Sequence, residues 1–101
     1  MAVRLVVTFT AKPGMAGDFA RAFAPAIAET VKEPGCEQYE LFRSESDPDK
    51  LVLLERWTTP EDLEVHMGVL RARGPSPTAP FRAEGTSLNM ERFDTYQCAT
   101  G

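Results

Sequence analysis

A carboxylate, an indole and an imidazole fall close together in mid-chain: Glu55, Trp57 and His66, the last two being the only tryptophan and the only histidine. These residue types suit acid–base chemistry on an aromatic or phenolic molecule. An imidazole titrating near 6.5 accepts a proton at neutral pH, an indole gives a flat wall, and a carboxylate withdrawn from water must be paired or neutralised. Glu55 and Trp57 stand two apart, so on a strand they share a face. Tyr39 and Asn89, in separate stretches, carry polar groups suited to holding a carbonyl or hydroxyl oxygen. Each residue also has an ordinary reading. His66 suits a core position with one satisfied hydrogen bond, Trp57 suits core packing, and Glu55 suits a salt bridge to Arg4 or His66. Tyr39 and Asn89 suit solvated edge strands. Arg56 alternates away from Trp57, toward the opposite sheet face or a dimer interface.

The elements that must position these groups follow from hydrophobic spacing. Residues 3–9 are rich in β-branched and apolar types and read as a strand. After a turn at Lys12-Pro13-Gly14, residues 15–32 place Phe19, Ala22, Phe23, Ala26, Ile27 and Val31 at the spacings of an amphipathic helix. Pro25 inside it predicts a kink. Glu33-Pro34-Gly35 ends that helix, and Cys36 opens a strand carrying Tyr39, Leu41 and Phe42. Residues 46–50 turn the chain back into a third strand, 51–57. Thr59 as N-cap, Pro60 at the first helical position, and Glu61 with Asp62 in the first turn open a second helix. Leu63, His66, Met67 and Leu70 share one of its faces. Residues 74–80, with Pro75, Pro77 and Pro80, read as an irregular loop. A last strand spans about 86–96, with Leu88, Met90 and Phe93 as its apolar positions.

Strand, helix, strand, strand, helix, strand is the order of a ferredoxin-like α+β domain spanning 1–101. It implies a four-stranded antiparallel sheet with both helices on one face. The apolar first and third strands belong at the centre, and the more charged second and fourth at the edges. Both faces of the central strands carry apolar groups, and two helices cover only one. A second copy is the economical cover for the other, which predicts a symmetric homodimer.

Composition excludes several function classes. A net charge of −4 and a pI near 4.9 argue against nucleic acid. Arg71, Arg73 and Arg82 form the nearest approach to a basic cluster, as a solvated face or as contacts to one anionic ligand. No run reaches the ~18 apolar residues needed to span a membrane, and residues 3–9 are too short for a signal core, so a cytoplasmic location is expected. Cys36 and Cys98 fit no metal or disulfide spacing and read as free thiols, and a single histidine argues against structural zinc.

Glu33-Pro34-Gly35-Cys36, Tyr39-Glu40-Leu41, Glu55-Arg56-Trp57 and His66, in this order and spacing, resemble the antibiotic-biosynthesis monooxygenase family of the dimeric α/β-barrel group, over residues 6–93. The resemblance implies a dimeric α/β barrel. It also implies a cofactor-independent monooxygenase that acts with molecular oxygen on a quinol, phenol or polycyclic aromatic. Heme-degrading relatives use an asparagine on the first strand and a histidine later in the helix. Thr8 or Thr10 stands on that strand here, and His66 comes earlier, so heme degradation is disfavoured. In this reading His66 and Glu55 are catalytic, Trp57, Tyr39 and Asn89 bind substrate, and no metal is used. The pocket is expected between the His66 helix and the sheet face of Glu55 and Trp57, with residues 74–80 closing one end. The alternative is a non-oxidative protein of the same scaffold that binds or isomerises a small metabolite.

Overall fold

Alternation along β1 (Ala2–Thr10) sets the layering of the molecule. Val3, Leu5, Val7 and Phe9 are buried, while Arg4, Val6 and Thr8 stay half-exposed on the other side. β3 (Lys50–Trp57) repeats the pattern and buries Leu51, Leu53, Glu55 and Trp57. These strands pair antiparallel, Leu5 opposite Glu55 and Val3 opposite Trp57. With β2 (Cys36–Arg43) and β4 (Asn89–Thr95) the sheet order is β2-β3-β1-β4, so the apolar strands are central and the charged ones form the edges. The computed structural model describes residues 1–83 and 89–95, apart from the side chains of Asn89 and Thr95. The outer parts of the expected last strand, and Cys98, lie outside the described residues.

α1 (Ala16–Thr30) and α2 (Pro60–Arg73) pack on the same sheet face, completing the βαββαβ fold. α1 stays continuous through Pro25, where the sequence predicts a kink. Pro25 and Arg21, whose carbonyl loses its usual donor, are both exposed, so water is at hand for that carbonyl. Phe19 and Phe23 from α1 join Phe9 in a cluster with ring centroids 5.0–6.2 Å apart, and Phe23 meets Tyr39 edge-on at 6.1 Å. No described helix is long and apolar enough to cross a membrane.

The start of α2 is clamped to the start of β2. Thr59 caps the helix, accepting from the Asp62 backbone N–H at 3.1 Å, and its hydroxyl donates to Asp62 Oδ2 at 2.9 Å. The Asp62 carboxylate lies against Gly35, whose φ of +80° and crowding leave no room for a Cβ. The Thr58 N–H donates to the Gly35 carbonyl at 2.9 Å. The far end of α2 stops at Gly74, with φ +86°.

Beyond it the chain is more ordered than the irregular loop read from its prolines. Ser76 and Thr78 hydroxyls lie 2.8 Å apart, and a 3-10 turn forms at Ala79–Phe81. Backbone bonds from Lys12 N–H to the Phe81 carbonyl and from Ala83 N–H to the Thr10 carbonyl, both 2.8 Å, pin this segment to the end of β1.

Candidate active site

Glu55 is a carboxylate on a central strand, only 4% exposed. Of the partners the sequence offers, Arg4 is ruled out by register. Leu5 stands opposite Glu55, so Arg4 points to the other face, where its guanidinium donates to Gln38 Oε1 at 2.7 Å. Glu55 instead accepts a hydrogen bond from Trp57 Nε1–H at 3.0 Å. Burial pushes the carboxyl up to about 7, with the Glu33 charge adding to the rise and the Trp57 bond opposing it.

His66 stands behind this carboxylate. The ring is 1% exposed, stacks on Trp57 at 4.6 Å and meets the edge of Tyr39 at 5.4 Å. Its Nδ1 lies 3.1 and 3.2 Å from the two Glu33 carboxylate oxygens. Burial lowers the imidazole below its usual value despite the Glu33 hydrogen bond and charge, so the ring is neutral at pH 7. The Glu33 contact is therefore assigned as an Nδ1–H donor to a carboxylate rather than as an ion pair. Nε2 is left as a buried lone pair with no hydrogen-bond partner, 4.0 Å from Glu55 Oε1, too far for a bond.

A cavity of about 200 Å³ lies between the sheet and the two helices. Glu55, Tyr39, Val7 and Leu53 line its buried end, and Met67 and Leu70 from α2 form a wall. Its exposed rim is made by Arg73 and residues 74–77, with Met90 across from them on β4. Among the residues expected to form a site, Glu55 and Tyr39 line this cavity. His66 and Trp57 do not, and sit in the packed core behind Glu55. Asn89 pairs with Thr8, and its side chain is outside the described residues.

Tyr39 is buried, 6% exposed, whereas the edge-strand reading has it solvated. Its hydroxyl has no hydrogen-bond partner among the described residues. Burial, then the nearby Glu55 and Glu33 charges, push the phenol above its ordinary value, so it remains a hydrogen-bond donor. Sequence reasoning did not single out Glu33 as the partner of His66. The available signal was the turn: Glu33 precedes Cys36, and Cys36 sits opposite Trp57 in the sheet. No three His, Cys, Asp or Glu side chains among the described residues are placed to hold a metal ion.

The sequence profile of the antibiotic biosynthesis monooxygenase family matches residues 2–69, well over half of the chain. The chain belongs to that family. The matched segment contains Glu33, Tyr39, Glu55, Trp57 and His66, and ends before Arg73 and the segment that rims the cavity.

Solved structures repeat the fold. A proposed antibiotic biosynthesis monooxygenase from Caulobacter crescentus is 26% identical, with 95% of this chain and 91% of that one covered and a TM-score of 0.78. One from Nitrosomonas europaea is 22% identical, covering 93% and 89%, with a TM-score of 0.79. A Mycobacterium tuberculosis protein is also 22% identical, covering 98% and 99%, with a TM-score of 0.78. No curated protein gives a significant match.

Proposed function

We propose that the cavity is the active site of a small cofactor-independent monooxygenase that oxidises a single-ring quinol or phenol with molecular oxygen. The observation that carries this is Glu55: a buried carboxylate, poised near 7 and lining an apolar cavity, is a base matched to a phenolic proton. The volume favours one substituted ring over a polycyclic, since a cavity of roughly 150 Å³ takes benzene and drug-sized ligands need roughly 300 Å³ or more.

In this reading Glu55 takes the hydroxyl proton and the Tyr39 hydroxyl donates to the phenolate oxygen, steadying the anion. The electron-rich ring passes electrons to oxygen, and a carbon–oxygen bond forms at a ring carbon. Glu55 returns its proton to the distal peroxide oxygen. The base then removes the ring C–H proton, and that electron pair forms the new carbonyl as the O–O bond breaks. The distal oxygen leaves as hydroxide and collects the proton as water. One oxygen atom stays in the product, and both hydrogens of the water come from substrate.

His66 is a positioning residue here, since it does not touch the cavity. Its Nε2 lone pair faces the carboxyl that gains and loses the proton, and its Nδ1–H leads to Glu33, whose side chain is 16% exposed. A small closure of the 4.0 Å gap links Glu55 to solvent through His66 and Glu33. Trp57 fixes the Glu55 rotamer through its indole bond.

The open sheet face supports a homodimer. Val6, Val52 and Leu54 are half-exposed there, with Phe42 43% and Phe93 48% exposed on the flanking strands. A second sheet of the same kind is the proposed cover.

The test is oxygen uptake with a panel of single-ring dihydroxy-aromatics. Uptake should rise through about pH 7 as Glu55 ionises, and labelled oxygen should put one atom in product and one in water. Glu55→Gln should abolish turnover with binding retained. Product formed under argon without oxygen uptake would replace oxygenation by the isomerising alternative.

A further inference from the structure

The cavity is charged differently at its two ends. Glu55 and Tyr39 occupy the buried end, while Arg73 lies on the exposed rim and Arg82, half-buried, lines the cavity from beside Ala11, six residues along the chain from the Leu5 that faces Glu55. Neither guanidinium has a hydrogen-bond or ion-pair partner among the described residues. Arg4, Arg21, Arg56 and Arg92 bond to Gln38, Asp18, Glu37 and Asp94, and of the arginines without such a partner, which include Arg43 and Arg71, only Arg73 and Arg82 line the cavity. The chain carries 15 acidic against 11 basic side chains, so carboxylates are plentiful, yet none among the described residues pairs with these two.

Both arginines are held by ordered backbone. Arg73 ends α2, whose N-terminus is fixed by its cap, and its charge is felt at Tyr39 and His66, where it opposes protonation of the ring and favours ionisation of the phenol. Arg82 is half-buried, and its backbone pairs with Ala11 at the end of β1. Two unpaired guanidiniums on fixed elements, beside an apolar space, fit a planar anion held by paired N–H groups.

We infer that Arg73 and Arg82 bind a carboxylate carried by the substrate, so the substrate class is a hydroxylated single-ring aromatic acid. This rests on the active-site reading given above. The hydroxyl goes to Glu55 and Tyr39, the ring lies between Leu53 and the α2 wall, and the carboxylate stays at the mouth. The opposed ends then fix which ring carbon faces oxygen, because a molecule entering the other way would set its carboxylate against Glu55.

The test compares gentisate with hydroquinone, which differ only by one ring carboxylate. Calorimetric titration under argon, where no turnover occurs, should show gentisate binding the wild-type protein about tenfold or more tightly. Added salt should shrink the preference. In Arg73→Gln/Arg82→Gln the ratio of the two affinities should fall to about twofold or less. The single variants Arg73→Met and Arg82→Met, each checked for folding by circular dichroism, should each lose part of it. Equal binding of the two probes by wild type, failure of both to bind, or a preference that survives in the double variant would overturn the inference. Oxygen uptake is measured separately. A carboxylate preference without uptake leaves this inference standing and removes the oxygenase reading, whereas uptake on hydroquinone without a preference does the reverse.

Discussion

Replacing Glu55 by glutamine isolates the cost of a charge inside the sheet–helix layer. The carboxyl is raised from an ordinary 4.5 to about 7. Below about pH 4.5 it is protonated in both folded and unfolded chains and contributes no pH dependence. Between those values the unfolded chain gives up the proton while the folded chain keeps it, so stability falls as pH rises. Above about 7 the loss is complete. At 1.36 kcal/mol per pH unit, the ionised native carboxylate costs about 3 kcal/mol. Glutamine keeps the shape and the acceptor for Trp57 Nε1–H and carries no charge. Urea unfolding of both proteins, at equal concentration, should show Glu55→Gln gaining on wild type by about 2.5 kcal/mol between pH 5 and pH 8. His66 acts in the opposite sense: its lowered value means stability is lost as pH falls below its ordinary 6.5. That contribution is present in both proteins and largely cancels in the difference. A difference that stays constant to within about 0.5 kcal/mol across the range would refute the claim that burial, unrelieved by a cation, sets this carboxyl.

Gly35→Ala should cost roughly 2 kcal/mol or more in urea unfolding, because φ is +80° and the Asp62 carboxylate already fills the Cβ position. Adding Asp62→Ala should recover only part of that, since the backbone strain remains. Thr59→Ala should lose about 1 kcal/mol with the N-cap of α2, measured the same way. Leu54→Asp, placed on the open face opposite Val6, should convert a dimer into a folded monomer in sedimentation velocity. A wild-type monomer at micromolar concentration would remove the dimer proposal altogether.

Most of the fold was legible because it rests on short-range periodicity. Alternation at Val3, Leu5, Val7 and Phe9, the three- and four-residue spacing around Phe19 and Phe23, and the Thr59-Pro60 helix start each identify an element locally. Strand alternation also put Glu55 and Trp57 on one face, as found. Partnership was harder to read, because it depends on register between distant strands. Leu5 rather than Arg4 faces Glu55, and a shift of one residue would have reversed that. Depth was harder still. His66 shares a helix face with Met67 and Leu70, yet they reach the cavity while His66 packs on Trp57. Helical spacing gives a direction but not how far the sheet stands away. The order in residues 76–83 comes from hydroxyl and backbone bonds to β1, which proline content does not reveal.

The cavity is assembled from two stretches of chain that meet near residue 70. Everything N-terminal, including Glu33, Tyr39, Glu55 and His66, falls in the segment matched by the family profile, and Arg73, Arg82 and Met90 come after it. On the roles proposed above, proton handling and ligand choice are thereby written in separable text. Gly74, with open space around its Cβ position, is a natural junction for recombination. On those roles, exchanging the segment after it between members of the family would replace Arg82 and Met90 and keep Glu55, Tyr39 and Arg73, so new selectivities are reachable by crossover as well as by stepwise change within the core.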